Sequence, residues 1–256
     1  MEEIKKKLII PSIFTTDGQI QSIESKNVFD YQKAIEKALR YEADGADEII
    51  FMDVTSAADK RRNLPRFIKD VSKTIKIPFI FGGGVNSTKE VEELLSFGAN
   101  KIYVNSAAVR NPELINKIVK EYGSKSLLVA IDTRQSFGSW KVYLNGGKSR
   151  TEIDLLNWVK MVEVRGANEI LVSTIARSHD ENEEINNMLK SITESTNVPV
   201  MASIGVKTYD GFADLFTKTG IAGVVSAHFF SSEEHSIQET KEFLNQYFSG
   251  NEALHF

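Results

Sequence analysis

The sequence contains no cysteine. Disulfides, zinc–thiolate sites and cysteine nucleophiles are therefore excluded, and the composition fits a reducing compartment. Histidine is scarce as well. His179, His228, His235 and His255 are the four present, and no spacing among them resembles a metal site. No apolar stretch approaches the roughly 18 residues that span a bilayer. The first ten residues carry two acids and three lysines around a short apolar run, which is no signal peptide. Basic charge is not in excess either. A formal net charge of −4 argues against sequence-independent nucleic-acid binding, which needs a basic field. The expectation is a cytoplasmic protein with no membrane or nucleic-acid partner, no metal and no cofactor.

What is present is enough apolar residue for a sizeable core, 41% of 256, with 26% charged residues for an ordinary surface. Short apolar runs of strand length alternate with longer stretches of helical period. The expected strands are Leu8–Phe14, Glu48–Asp53, Pro78–Phe81, Lys101–Val104, Leu127–Asp132, Glu169–Thr174, Pro199–Ser203 and Gly223–Ala227. Between them, sets such as Ala34, Ile35, Ala38 and Leu39 recur at three- and four-residue steps, one face of a helix. Continuous apolar strands are what parallel strands buried on both faces require. Eight such alternations suit a (β/α)₈ barrel, with a doubly wound open sheet as the alternative.

An internal repeat favours the barrel. Gly45-Ala46-Asp47-Glu48-Ile49 matches Gly166-Ala167-Asn168-Glu169-Ile170, an offset of 121 residues. Ile77-Pro78 matches Val198-Pro199, and Gly84-Val85 matches Gly205-Val206, at the same offset. Self-similarity at half the chain implies two four-unit halves. One domain over residues 1–256 follows, with no linker.

In such a barrel the site lies where the strands end, on the loops leading into the helices. After strand three the chain reads Phe81-Gly82-Gly83-Gly84-Val85-Asn86-Ser87. Consecutive free N–H groups before a helix form an anion-binding concavity, which favours a phosphate. A plain turn capped by Ser87 or Thr88 is the alternative. Asn105 and Ser106 end strand four beside this loop and can donate to the same anion; a helix cap at Ser106 is the alternative. Asp132 ends strand five, where burial would raise its pKa toward acid–base use. Asp53 ends strand two in what reads as an equivalent setting, or anchors a loop. Strand seven ends Ser203-Ile204-Gly205, the repeat partner of the glycine run, and Ser203, Gly205 and Ser226 are candidate donors for a second anion site.

The order and spacing of several of these motifs resembles the HisA/HisF family over nearly the whole chain. The matching segments are Ile9-Ile10-Pro11, Asp17-Gly18, Gly45-Ala46-Asp47-Glu48, Phe51 to Thr55, Phe81 to Val85, Asn105 to Ala108 and Ala130-Ile131-Asp132. The similarity is to the HisF cyclase side, a barrel that binds a substrate with a phosphate at each end. That side of the family takes ammonia from a HisH-like glutaminase. The resemblance implies catalytic carboxylates at the ends of strands one and five. The second falls on Asp132; the first falls on Phe14, which cannot transfer a proton. It implies a first-loop lysine near Ser22, and a second phosphate site where Ala176 to Asp180 and Ile204 depart from the pattern. Gly84, Asn105 and Ser106 match the first phosphate site. At the opposite end, Glu48, Lys101 and Glu169 match three members of a charged ring through which the family admits ammonia, and Leu8 replaces a fourth.

Loss of one general acid or base costs roughly 10²–10⁴-fold per assisted proton transfer. The expected function is therefore a HisF-like subunit of a glutamine amidotransferase complex with altered cyclase chemistry. Paralogues of this kind occur beside sugar-modifying enzymes in surface-polysaccharide gene clusters. A working cyclase of histidine biosynthesis, and a non-catalytic scaffold that activates a glutaminase, are the alternatives. A HisA-type isomerase would need the carboxylates that Phe14 and Thr174 replace.

Overall fold

A computed structural model describes residues 6–17, 19–20, 31–55, 62–175, 183–231 and 234–249. Eight parallel strands close on themselves: β1 (Leu8–Thr16), β3 (Ile49–Asp53), β4 (Phe79–Gly82), β5 (Lys101–Val104), β6 (Leu127–Ser136), β9 (Ile170–Thr174), β10 (Val200–Ser203) and β11 (Gly223–Ser226). Their order is β5-β4-β3-β1-β11-β10-β9-β6, and β5 pairs with β6 to complete the ring. Closure leaves no barrel edge to template aggregation. The fold is the expected (β/α)₈ barrel. Short β2 (Gln19–Ile20) pairs antiparallel with β1.

Helices return the chain between strands: α1 (Tyr31–Ala43), α2 (Leu64–Thr74), α3 (Thr88–Ser96), α4 (Ser106–Arg110), α5 (Glu113–Tyr122), α6 (Leu155–Val164), α7 (Glu183–Ser195), α8 (Tyr209–Thr219) and α9 (Ile237–Tyr247). Local chemistry sets several starts. Asp154 caps α6 by accepting from the N–H groups of Leu156 and Asn157, Thr208 caps α8, and Ser236 with Glu239 closes a capping box on α9. Each such cap contributes about 1 kcal/mol. The repeat has a backbone cause. Gly45 and Gly166 both follow a helix at positive φ, 87° and 89°, and Gly84 and Gly205 share φ of 64° and 73°. Left-handed backbone there favours glycine in both halves.

Alternation along the strands divides the core in two. Outward residues such as Ile9, Phe51, Phe81, Val129 and Val172 pack beneath the helices. Inward residues Ile10, Ile50, Ile80, Leu128, Ala130, Leu171, Met201 and Val225 fill the barrel and are at most 2% exposed. Each fully buried aliphatic side chain of this size contributes roughly 1.5–3 kcal/mol.

One excursion goes beyond the strands expected from sequence. Strand five does not stop at Asp132. It runs on to Ser136, turns through Phe137-Gly138, and forms an antiparallel sheet with β7 (Ser139–Leu144) and β8 (Ser149–Asp154).

Candidate functional site

A cavity of about 600 Å³ opens at the carboxyl ends of the barrel strands. Asp132, Asp53, Gly83, Gly84, Asn105, Ser106, Ser203 and Gly205 all line it, as do Phe14 and Ile204. Gly82 and Ser226 do not. Gly82 is buried under Tyr103, and the Ser226 hydroxyl oxygen accepts from the Phe229 N–H at 3.3 Å, with Ala227 reaching the wall instead. The segment Ala176 to Asp180 and Ser22 lie outside the described residues.

Two glycines of the run have causes within the chain. A β-carbon on Gly82 would meet Tyr103 at 2.4 Å, and one on Gly83 would meet the Asp53 carbonyl oxygen at 1.8 Å. Neither glycine needs a ligand to explain it. Gly84, at φ 64°, also lines the cavity. Ser87 caps α3, accepting from the Glu90 N–H at 3.3 Å, while the Glu90 carboxylate accepts from the Asn86 N–H at 2.8 Å.

The two aspartates are not equivalent, which corrects the sequence expectation. Asp53 shares strand parity with outward Ile49 and Phe51, because successive side chains alternate faces. Its Oδ1 accepts from the N–H groups of Asp17 (3.2 Å) and Thr55 (3.1 Å) and from the Thr55 hydroxyl (2.5 Å). It ties the loop after β3 to the end of β1. Asp132 shares parity with inward Leu128 and Ala130 and points into the mouth. Burial pushes its carboxyl above the usual range, and a hydrogen bond from the Asn105 side chain opposes the shift. Phe14 lines the same mouth from β1, four strands away on the ring. Among the described lining residues, Asp132 is the one inward-facing carboxylate.

Three neighbours of Asp132 and Ser106 were not singled out from the sequence. Tyr103 lies on β5 two residues beyond Lys101, so both face into the barrel. Its phenol oxygen accepts from Asn105 Nδ2 at 3.3 Å. Burial, and then the charge of Asp132, raise its pKa, so the phenol stays protonated. Asn105 Oδ1 is buried and has no hydrogen-bond partner among the described residues. Arg110 and Asn145 line the cavity beside Ser106. The Asn145 N–H donates to Ser106 Oγ at 2.8 Å, and Arg110 donates to the Asn145 amide oxygen. Ser106 is thus the first residue of α4 held by the β7–β8 turn, not a helix cap. Alternation on β5 would have found Tyr103, and the Asn145-Gly146 pair signals the turn.

At the other end of the barrel Lys101 Nζ sits between two carboxylates. It lies 2.8 and 3.1 Å from the Glu48 oxygens and 2.7 and 2.8 Å from those of Glu169. Their side chains are 13–19% exposed, so the group is more enclosed than a rim ion pair. Burial raises the Glu48 pKa against the attraction of Lys101, while both carboxylates hold the Lys101 pKa up against burial. Leu8 packs on the inner core above them.

Comparison with known proteins agrees with this geometry. Residues 8–236 match the family described as histidine biosynthesis protein. The imidazole glycerol phosphate synthase subunit HisF of Flavobacterium psychrophilum is 39% identical over 92% of this chain and 94% of its own. The subunit of the same name from Natranaerobius thermophilus is 36% identical over 94% and 96%, and that from Thermococcus onnurineus 35% over 93% and 94%. With a closed barrel and near end-to-end similarity to these subunits, the chain belongs to the histidine-biosynthesis protein family and is HisF-like within it.

Proposed function

We propose that this protein is the barrel subunit of a glutamine amidotransferase complex, receiving ammonia from a HisH-like glutaminase and delivering it to a phosphorylated small molecule at the mouth. Its acceptor chemistry differs from cyclisation to imidazole glycerol phosphate. The observation that carries this reading is the pairing of Asp132 with Phe14 in one cavity. A proton-transfer scheme needing two carboxylates at those strand ends has only one of them here. Gly84, Asn105 and Ser106 on one wall support an anion site, and the enclosed Glu48–Lys101–Glu169 group supports a docking and entry face at the strand starts. The test is to measure glutamine hydrolysis by a HisH-like partner with and without this chain. Stimulation that is lost in Lys101→Met is expected; no stimulation by the native chain would sink the reading.

A working cyclase is the second reading. Identity of 34–39% to HisF subunits over more than nine-tenths of their length favours it, together with the retained Asp132. On that reading another group supplies the second proton transfer.

A further inference from the structure

We propose that Tyr103 is a second catalytic residue of the mouth. Its phenol O–H donates a hydrogen bond to a carbonyl oxygen of the ligand while Asp132 removes a proton from the carbon next to that carbonyl. The inference rests on the reading that the mouth takes a phosphorylated small molecule.

Placement comes first. Tyr103 and Asp132 are both inward residues of adjacent strands, β5 and β6, and both line the cavity. The Tyr103 ring lies over Gly82, which has no side chain to displace it. Asn105 adjoins both groups, its side-chain amide donating to the phenol oxygen at 3.3 Å and favouring the Asp132 carboxylate. Asn105 is thus a positioning residue.

Hydrogen-bond capacity comes second. The phenol oxygen accepts from Asn105, and no described residue takes the phenol proton. That donor is therefore available inside the cavity. A buried donor left unmatched is costly, and the developing oxyanion of a ligand would match it.

Protonation states complete the assignment of roles. Burial and the neighbouring carboxylate hold Tyr103 protonated, so it acts as a donor that keeps its proton. Burial makes Asp132 a stronger base than an exposed carboxylate. In the step, the C–H bond breaks and its proton goes to an Asp132 oxygen. The C–H electron pair becomes a carbon–carbon double bond, and the carbonyl pair moves onto oxygen. Tyr103 stabilises that oxyanion, and Asp132 then returns the proton. A base paired with a neutral hydrogen-bond donor at the developing oxyanion is sufficient for enolisation. Phe14 takes no part.

The test uses the full chain with ribulose 5-phosphate in deuterated buffer, following carbon-bound hydrogen loss by NMR. Wild type should exchange the position next to the carbonyl faster than buffer, and Asp132→Asn should return it to the buffer rate. Tyr103→Phe should lower the exchange kcat roughly 10²-fold, the effect of removing one oxyanion donor, while KM and the low-pH limb set by Asp132 stay in place. Inorganic phosphate titrated into Tyr103→Phe verifies that the mouth is intact; Tyr103→Met carries the same test if the first variant unfolds. Exchange by Tyr103→Phe at the wild-type rate overturns the proposal, as does wild-type exchange no faster than buffer. Exchange that needs both residues in a chain that stimulates no glutaminase leaves this inference standing and removes the amidotransferase reading alone.

Discussion

Gly82 and Tyr103 occupy one space between them, a β-carbon on the glycine falling 2.4 Å from the tyrosine side chain. Their strands are paired with these two residues in register, so neither can shift independently. Gly82→Ala should therefore destabilise the fold by roughly 1–3 kcal/mol, the range for overpacking a filled core. Urea unfolding measures the loss. Adding Tyr103→Ser should recover little of it, because the β-carbon at 2.4 Å and the carbonyl oxygen at 2.6 Å of residue 103 stay in place. Full recovery in the double variant would place the clash on the tyrosine ring alone.

Lys101 keeps Glu48 and Glu169 from facing each other unscreened. Lys101→Met should cost about 3 kcal/mol at neutral pH, the lower end for removing one partner of a buried ion pair. Without the lysine, nothing opposes the burial that already makes Glu48 easier to protonate folded than unfolded. Stability of the variant should then rise as pH falls toward the ordinary carboxylate range and drop as pH climbs out of it. A pH series of urea unfolding checks both size and direction.

Burial of the Asp132 carboxyl comes at the expense of stability. Its folded pKa is raised by burial, so below the unfolded value near 3.8 the penalty is absent, and it grows as pH rises through the folded value. Asp132→Asn should stabilise the protein at pH 7 by about 0.5–2 kcal/mol, within the range of single stabilising changes. The gain should shrink as pH approaches 4. A loss of stability at pH 7 would contradict the assignment of burial as the dominant cause.

Arg110 is the one cation among the described residues lining the cavity, tied through Asn145 to Ser106. Arg110→Ala should weaken inorganic phosphate binding about 10-fold, or 1.4 kcal/mol, and reduce its salt dependence. Calorimetric titration at two ionic strengths measures this.

The eight strands could be read from sequence because each is a short apolar run between polar stretches, and the repeat fixed their grouping into halves. The hairpin β7–β8 escaped because its strands are half-exposed and its apolar pattern is weak. Asn145-Gly146 marked the turn, but nothing local ties that turn to Ser106, 39 residues away. Asp132 and Asp53 both end apolar strands, and only parity separates them: Asp132 continues the inward set and Asp53 the outward set. The glycine run looked like a ligand loop because a sequence does not show that Tyr103 and the Asp53 carbonyl already fill two of its three places. Tyr103 itself was masked by lying in an apolar strand, where a tyrosine reads as core.

The most direct measurement is ammonium-dependent formation of imidazole glycerol phosphate from the family's bisphosphate substrate, with the HisF of Flavobacterium psychrophilum assayed alongside. A mouth with one inward carboxylate and Phe14 in place of the other predicts turnover at least ~10²-fold below that relative. Turnover within about tenfold of it, abolished by Asp132→Asn, would contradict the altered chemistry and make this chain a working cyclase.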